Sequence, residues 1–231
     1  MKNILKSELY EFIRDKKYLI LLIISIILQS VLLLDKNIKN TSDMIYHSFY
    51  NMPLLFIVVN VFISLYIGGN FLDRKINRYI VSGHNRTNIV IVETFVVIIF
   101  SNLILMLQPT IATIITAIKN GNGADNINVL GIFLVTLLLN TSFLVITVFL
   151  AFLFKDIGKT LVSSVGVYFI VIFLLNSNNA VQLAHFIPIG QGRLLIENSI
   201  NLMEAIVLAN VYFFVFLIGT IKYFKKCDLK W

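Results

Sequence analysis

Few residues in this chain have the type and spacing that covalent chemistry needs. Gly158-Lys159-Thr160 has the ending of a phosphate-binding loop, whose backbone N–H groups and lysine cradle a nucleotide's phosphates. That loop also needs a glycine five positions before its second one, and position 153 is Leu153. His47, His84 and His185 show no HExxH or other metal spacing. Ser82-Gly83-His84 lacks the GxSxG frame of a nucleophile elbow. Glu93 stands alone in an apolar segment, whereas an intramembrane protease needs a nucleophile or a pair of acids. The chain is expected not to be an enzyme, and to hold no metal and no cofactor.

The richest chemistry lies in the charged stretch Phe71–Arg86. Ile76, Tyr79 and Ile80 recur at helical spacing, with Arg74, Lys75 and Arg78 around them. Gly83 can stop such a helix, and Asn85 or Thr87 can start the next. This predicts a short, basic, amphipathic helix at a membrane surface. One reading makes it a topogenic loop whose charges fix orientation. The other makes it a docking element for a cytoplasmic partner.

The elements that position this stretch follow from composition. The chain has 231 residues, of which 58% are hydrophobic and 13% charged, and its mean hydropathy is +0.88. An ordinary soluble domain has about 25% charged residues, and one core of this size cannot hide so much apolar surface. The same composition excludes disorder. The lone Cys227 excludes an internal disulfide.

A membrane-spanning helix needs about 20 apolar residues. Six segments qualify or nearly do: 18–34, 52–72, 88–118, 128–154, 160–175 and 202–221, the fifth being short unless Asn176 and its polar neighbours complete it. The expected fold is an all-α polytopic membrane protein, one transmembrane domain over residues 1–231. The first segment ends at Asp35-Lys36-Asn37 with no small-residue cleavage site behind it, which predicts a retained span. The third is too long for one straight crossing, and Pro109 predicts a kink, a tilt or a protrusion. Fifteen of the 19 Lys and Arg residues fall in the N-terminal stretch, the 73–87 loop, the 155–159 loop and the C-terminal tail. The positive-inside rule then puts both termini in the cytoplasm.

Residues 1–17 place Leu5, Leu9, Phe12 and Ile13 at helical spacing between basic residues. This predicts an interfacial helix, against the alternative of a frayed tail. Residues 176–190, opening with Asn176-Ser177-Asn178-Asn179, are too apolar for a free loop and too short to span. A shallow re-entrant or surface-lying piece is expected there. Among the polar residues within spans, Asn102, Gln108 and Asn140 are candidates for a translocation path. Hydrogen bonding between helices is the competing role for them and for Asn60. Glu93 is expected to pair with Arg86 or Arg78.

These residues resemble the membrane subunits of ABC-2 type transporters. Asp73, Arg78, Ser82-Gly83 and Arg86 match, in order, the family's acidic close of the second span, its coupling helix, its small turn and its Arg before the third span. Lys75-Ile76-Asn77 departs from a Gly-Thr pair that is common there, and Glu93 stands where a basic residue is common. The small size is similar to permeases of peptide efflux and bacteriocin immunity systems.

The resemblance implies a bacterial plasma-membrane permease subunit of an ATP-driven exporter, moving an amphipathic peptide. It implies two copies of a cytoplasmic ABC ATPase that carry the ATP and Mg, and a second permease, identical or related. No nucleic-acid partner is implied, and the bilayer is the remaining partner. Docking would use Asp73, Arg74, Lys75, Ile76, Arg78, Tyr79 and Arg86, with Lys155 and Asp156. Competing readings are a non-transporting protein that binds a toxin or aids membrane assembly, an intramembrane enzyme, and a secondary carrier. The last two lack paired catalytic groups, and buried charge chains or internal repeats, respectively.

Overall fold

The computed structural model describes residues 2–34, 36, 38–120, 129–177, 180–197 and 199–227. The expected start of the fourth span at Asn128, the pair Asn178 and Asn179, Asp35, Asn37 and Lys230 lie outside the described residues. All regular structure among the described residues is helical. In order, α1 is Lys2–Arg14, α2 Lys16–Leu33, α3 Thr41–Ile63, α4 Gly69–Leu72, α5 Lys75–Val81 and α6 Arg86–Asn120. Then come α7 Val129–Phe154, α8 Ile157–Leu175, α9 Ala180–Ala184, α10 Pro188–Ile196 and α11 Leu202–Lys226. A π-helical turn, Ser64–Gly68, joins α3 to α4 without a break.

Among the described residues, six helices are long and apolar enough to cross a membrane. The chain is a multi-pass membrane protein. The helix over Thr41–Leu72 and α6 are each 67% buried in their most apolar windows, against 17% for α2, 17% for α8 and 11% for α11. The first two therefore form the centre of the bundle, with α7 against them, and the other three are peripheral. Leu55, Val59, Phe62, Ile63 and Ile67 are sealed in that centre. Ile24 and Ile27 of α2, Phe169 and Phe173 of α8, and Val207 and Val215 of α11 point outward as a lipid-facing coat.

Local signals set the helix starts. The Asp15 carboxylate accepts from the Lys17 N–H at 3.1 Å and opens α2. The Asp156 carboxylate accepts from the Lys159 N–H at 2.9 Å and opens α8. The Asn201 side chain accepts from the Met203 N–H at 3.3 Å and opens α11. Each satisfies an N–H that has no partner within its helix.

The second spanning helix begins at Thr41, not at residue 52. The Asp43 carboxylate accepts from the Lys39 and Asn40 N–H groups at 3.1 and 3.2 Å. This capping arrangement starts the helix among polar residues that hydropathy discounts. The third is a single helix of 35 residues, and Pro109 lies inside it. At 1.5 Å per residue it is about 52 Å long, beyond the ~30 Å of hydrocarbon. The last helix runs on to Lys226, past the expected end at residue 221.

The N-terminal helix, the 73–87 loop, the α7–α8 corner and the end of α11, which lie in the segments bearing most of the basic residues, meet at one end of the bundle. Arg86 reaches the end of α11, Tyr223 of α11 donates to Leu153 of α7, and Lys75 of α5 meets Glu8 of α1. Gly68 sits against the start of α8 so closely that a Cβ there would lie 2.9 Å from the Ile157 Cα.

Candidate functional site

The stretch 73–86 folds as a helical hairpin between the second and third spanning helices. Asp73 and Arg74 make the first corner, where Arg74 takes a left-handed φ of 52°. Helix α5 follows for seven residues. Gly83, at φ +85°, makes the second corner, a conformation that glycine adopts without the clash a Cβ brings. The Ile89 N–H bonds to the Asn85 carbonyl at 3.2 Å, which starts α6.

The two faces of α5 differ sharply. Ile76 is fully enclosed and Lys75 is 8% exposed. The Lys75 ammonium donates to Glu8 Oε2 at 2.8 Å and to Glu11 Oε2 at 2.5 Å. Glu8 itself is fully buried. Its other donors are the Tyr66 hydroxyl, at 2.6 Å to Oε2, and the Tyr79 hydroxyl, at 2.7 Å to Oε1. Helix α1, the second spanning helix and α5 therefore converge on one carboxylate. Burial pulls the Lys75 ammonium down, but the Glu8 charge and the bonds to Glu11 and Glu8 outweigh it, and the net shift is upward. Burial and the bond to Glu8 push the Tyr79 hydroxyl up to about 12.

Aromatic packing clamps α1 around this contact. Phe12 stacks on Tyr18 with centroids 4.6 Å apart and meets Phe62 edge-on at 5.8 Å. Tyr18 in turn meets Phe62 edge-on at 5.5 Å. The inward face of α1 is built on Ile4, Glu8 and Phe12, with Leu5 and Leu9 partly covered. Ile13, expected on that apolar face, is 79% exposed.

The opposite face of α5 is open. Arg74, Asn77, Arg78, Val81 and Ser82 line a shallow groove of about 350 Å³. Asp73 is exposed beside it, and its carbonyl accepts from Arg78 at 3.5 Å.

The expected docking residues thus divide. Asp73, Arg74 and Arg78 are exposed, and Tyr79 is half-buried against Glu8. Lys75 and Ile76 are turned into the protein, so in this conformation neither offers a contact surface. The Arg86 guanidinium is also committed. It donates to the Phe224, Lys225 and Cys227 carbonyls at 3.0, 3.2 and 2.6 Å and lies over the Phe224 ring. It caps the C-terminal carbonyls of α11, which have no partner within that helix. Lys155 and Asp156 lie at the α7–α8 corner, where Lys155 bonds Cys227 and Asp156 caps α8.

Glu93 departs from expectation. It is fully buried, and its carboxylate accepts from Asn70 Nδ2 at 3.0 and 3.1 Å. No ion pair joins it to Arg86 or Arg78 among the described residues. Arg86 faces α11 and Arg78 faces the groove, so neither turns toward it.

The polar residues considered for a path are not brought together. Asn102 lines an open apolar groove of about 430 Å³ with Met106, Thr110 and Leu137. Asn140 lines a separate cavity, between α3, α7 and α10. Gln108 lines neither of them. Asn60 and Asn140 link helices, by Thr147 Oγ1 donating to Asn60 Oδ1 at 3.0 Å and by Asn140 Nδ2 reaching Met52 Sδ at 3.4 Å. Asn102 donates to its own helix, at the Ile98 carbonyl.

Glu8, Glu11 and Tyr66 escaped the sequence reading. The register of Ile4, Glu8 and Phe12, one turn apart, was the available signal, because it sets a carboxylate in line with apolar neighbours. No protein-family model matches the chain, and no curated protein matches it.

Proposed function

We propose that this chain is the membrane-spanning subunit of an ATP-driven exporter of the ABC-2 type. One observation carries the reading. Helix α5 is pinned through Lys75 to a buried carboxylate shared with α1 and the second spanning helix, while its basic outer face is open. A short helix held in this way behaves as a rigid lever. A partner that pushes on Arg74 and Arg78 moves α1 and the two central spans as one body. Rigid-body motion between two packed states is how such a push opens or closes a path.

In this reading the end bearing α5 faces the cytoplasm of a bacterial cell, with both termini there. Helix α1 is the interfacial helix, α5 the coupling helix and α9–α10 the re-entrant piece. Two ATPase subunits carry ATP and Mg and dock on Asp73, Arg74 and Arg78, and a second permease completes the path. The apolar lining around Asn102 suits an amphipathic peptide better than a sugar or an ion.

The test is co-purification with an ATPase encoded beside this chain, comparing wild type with R74A/R78A and with K75M. Wild-type binding that R74A/R78A abolishes supports the reading. Retained binding in that variant moves the docking surface elsewhere. Absence of ATPase binding by the folded wild-type chain refutes the exporter reading, and a toxin-binding or assembly role takes its place. Loss of ATPase stimulation in K75M, with binding intact, assigns coupling to the pinned face.

A further inference from the structure

At the end of the bundle opposite α5, α10 packs between α3 and α7 and partly closes a small cavity of about 30 Å³. Thr136 and Asn140 of α7, Met52 and Phe56 of α3, and Ile189 and Arg193 of α10 contribute to its wall. Thr136 and Asn140 lie seven and eleven residues into α7, about 10 and 16 Å along its axis. The cavity is therefore within the bundle rather than in a surface loop.

Its polar atoms are poorly satisfied. Arg193 Nε is buried without a hydrogen-bond partner, and so is Thr136 Oγ1. Thr136 is 5% exposed and Asn140 4%. No ion pair reaches Arg193 among the described residues, and Glu197, one turn on, is exposed. The Asn140 amide has only the Met52 sulfur, a weak acceptor. Arg193 reaches the cavity from α10 with its side chain partly exposed, and a cation facing the interior of a helical bundle with no counter-charge is a candidate for ligand binding. A planar fork of N–H donors matches a carboxylate.

The support for the site is rigid. A Cβ on Gly190 would lie 2.5 Å from the Ala184 Cα, so α9 and α10 touch backbone to backbone. Gln191 Nε2 also donates to the His185 carbonyl at 2.8 Å.

We propose that this cavity binds the single carboxylate group of an amphipathic ligand, with Arg193 as its cation and Thr136 and Asn140 as neutral partners. Met52, Phe56 and Ile189 meet the first carbons beside the carboxylate, and the rest of the ligand leaves through the cavity's open side. A fatty acid and a peptide with a free C-terminus both present this chemistry. The inference does not rest on the exporter reading, because binding is measured on the purified chain without an ATPase.

Calorimetric titration in a neutral detergent tests it. The probes are octanoate against octanamide, and an N-acetylated dileucine acid against its amide. Saturable binding of one acid per chain, with its amide bound about 10- to 100-fold more weakly, is expected for loss of one charge-assisted pair. The acid that binds identifies the source of the carboxylate. R193Q is expected to lose that preference, R193K to keep part of it, and T136V to weaken the acid a few-fold. If R193Q does not fold, the acid–amide contrast on wild type decides the matter alone. Equal binding of acid and amide, unchanged acid binding in folded R193Q, or no saturable binding of either acid overturns the proposal.

Discussion

Replacing Lys75 by Met tests the polar network behind α5 most directly. The change keeps much of the side chain's length and removes its charge. Glu8 is then a fully buried carboxylate holding only the Tyr66 and Tyr79 hydroxyls. Removing one partner of a buried ion pair costs about 3–5 kcal/mol, because the other charge is left uncompensated. Glu11 behaves differently, since its side chain is 57% exposed and water replaces the lost bond. E11Q is expected to cost under ~1 kcal/mol. The double variant E8Q/K75M removes both charges and is expected to recover about 2–3 kcal/mol of the summed single losses. Reversible unfolding in mixed micelles, followed by helical circular dichroism, gives all four corners of the cycle. Additivity within ~0.5 kcal/mol, or a K75M cost below ~1 kcal/mol, would refute the view that Lys75 and Glu8 act as one unit.

The same network has an alkaline limit. Tyr79 is held protonated up to about 12, above its ordinary value of 10.0, so the unfolded chain loses this proton first and stability falls between those two values. Lys75, raised above its ordinary 10.5, contributes fully below that value and loses its contribution as pH rises through the higher folded one. Y79F is expected to flatten the Tyr79 part of the decline, read as unfolding midpoint against pH. Gly68→Ala is expected to cost about 1–3 kcal/mol, because its Cβ meets Ile157 backbone at 2.9 Å. Gly69→Ala, with nothing within 4 Å, is expected to be neutral or stabilising by up to ~1 kcal/mol in the same assay. R86Q is expected to free the end of α11 and to speed proteolysis of the C-terminal tail several-fold, with the spans still folded.

The sequence by itself determined the six spans, since about 20 apolar residues in a row have no other home. It also determined the hairpin at 73–86, where Gly83 and the spacing of Ile76 and Tyr79 act locally. The start of the second spanning helix was legible too, but in a different signal. The Asn40–Asp43 cap lies in a stretch whose Ser42, Asp43, His47 and Asn51 lower the hydropathy below a membrane threshold. Helix ends are set by local hydrogen bonds, and apolar runs are set by solvent.

Tertiary structure alone decided which charges face inward. Lys75 and Arg78 are both basic residues of one short helix, yet one is sealed against Glu8 and the other lines an open groove. Helical spacing sets Lys75 nearer the face of Ile76, Tyr79 and Ile80 than Arg78, but it does not say that a carboxylate waits there. The difference comes from α1, more than sixty residues earlier, which brings a carboxylate to one face of α5. The same holds for Arg86, which meets carbonyls at the far end of the chain. A charge is stable inside a protein only where distant segments supply its partner, and that pairing exists only once the chain has folded.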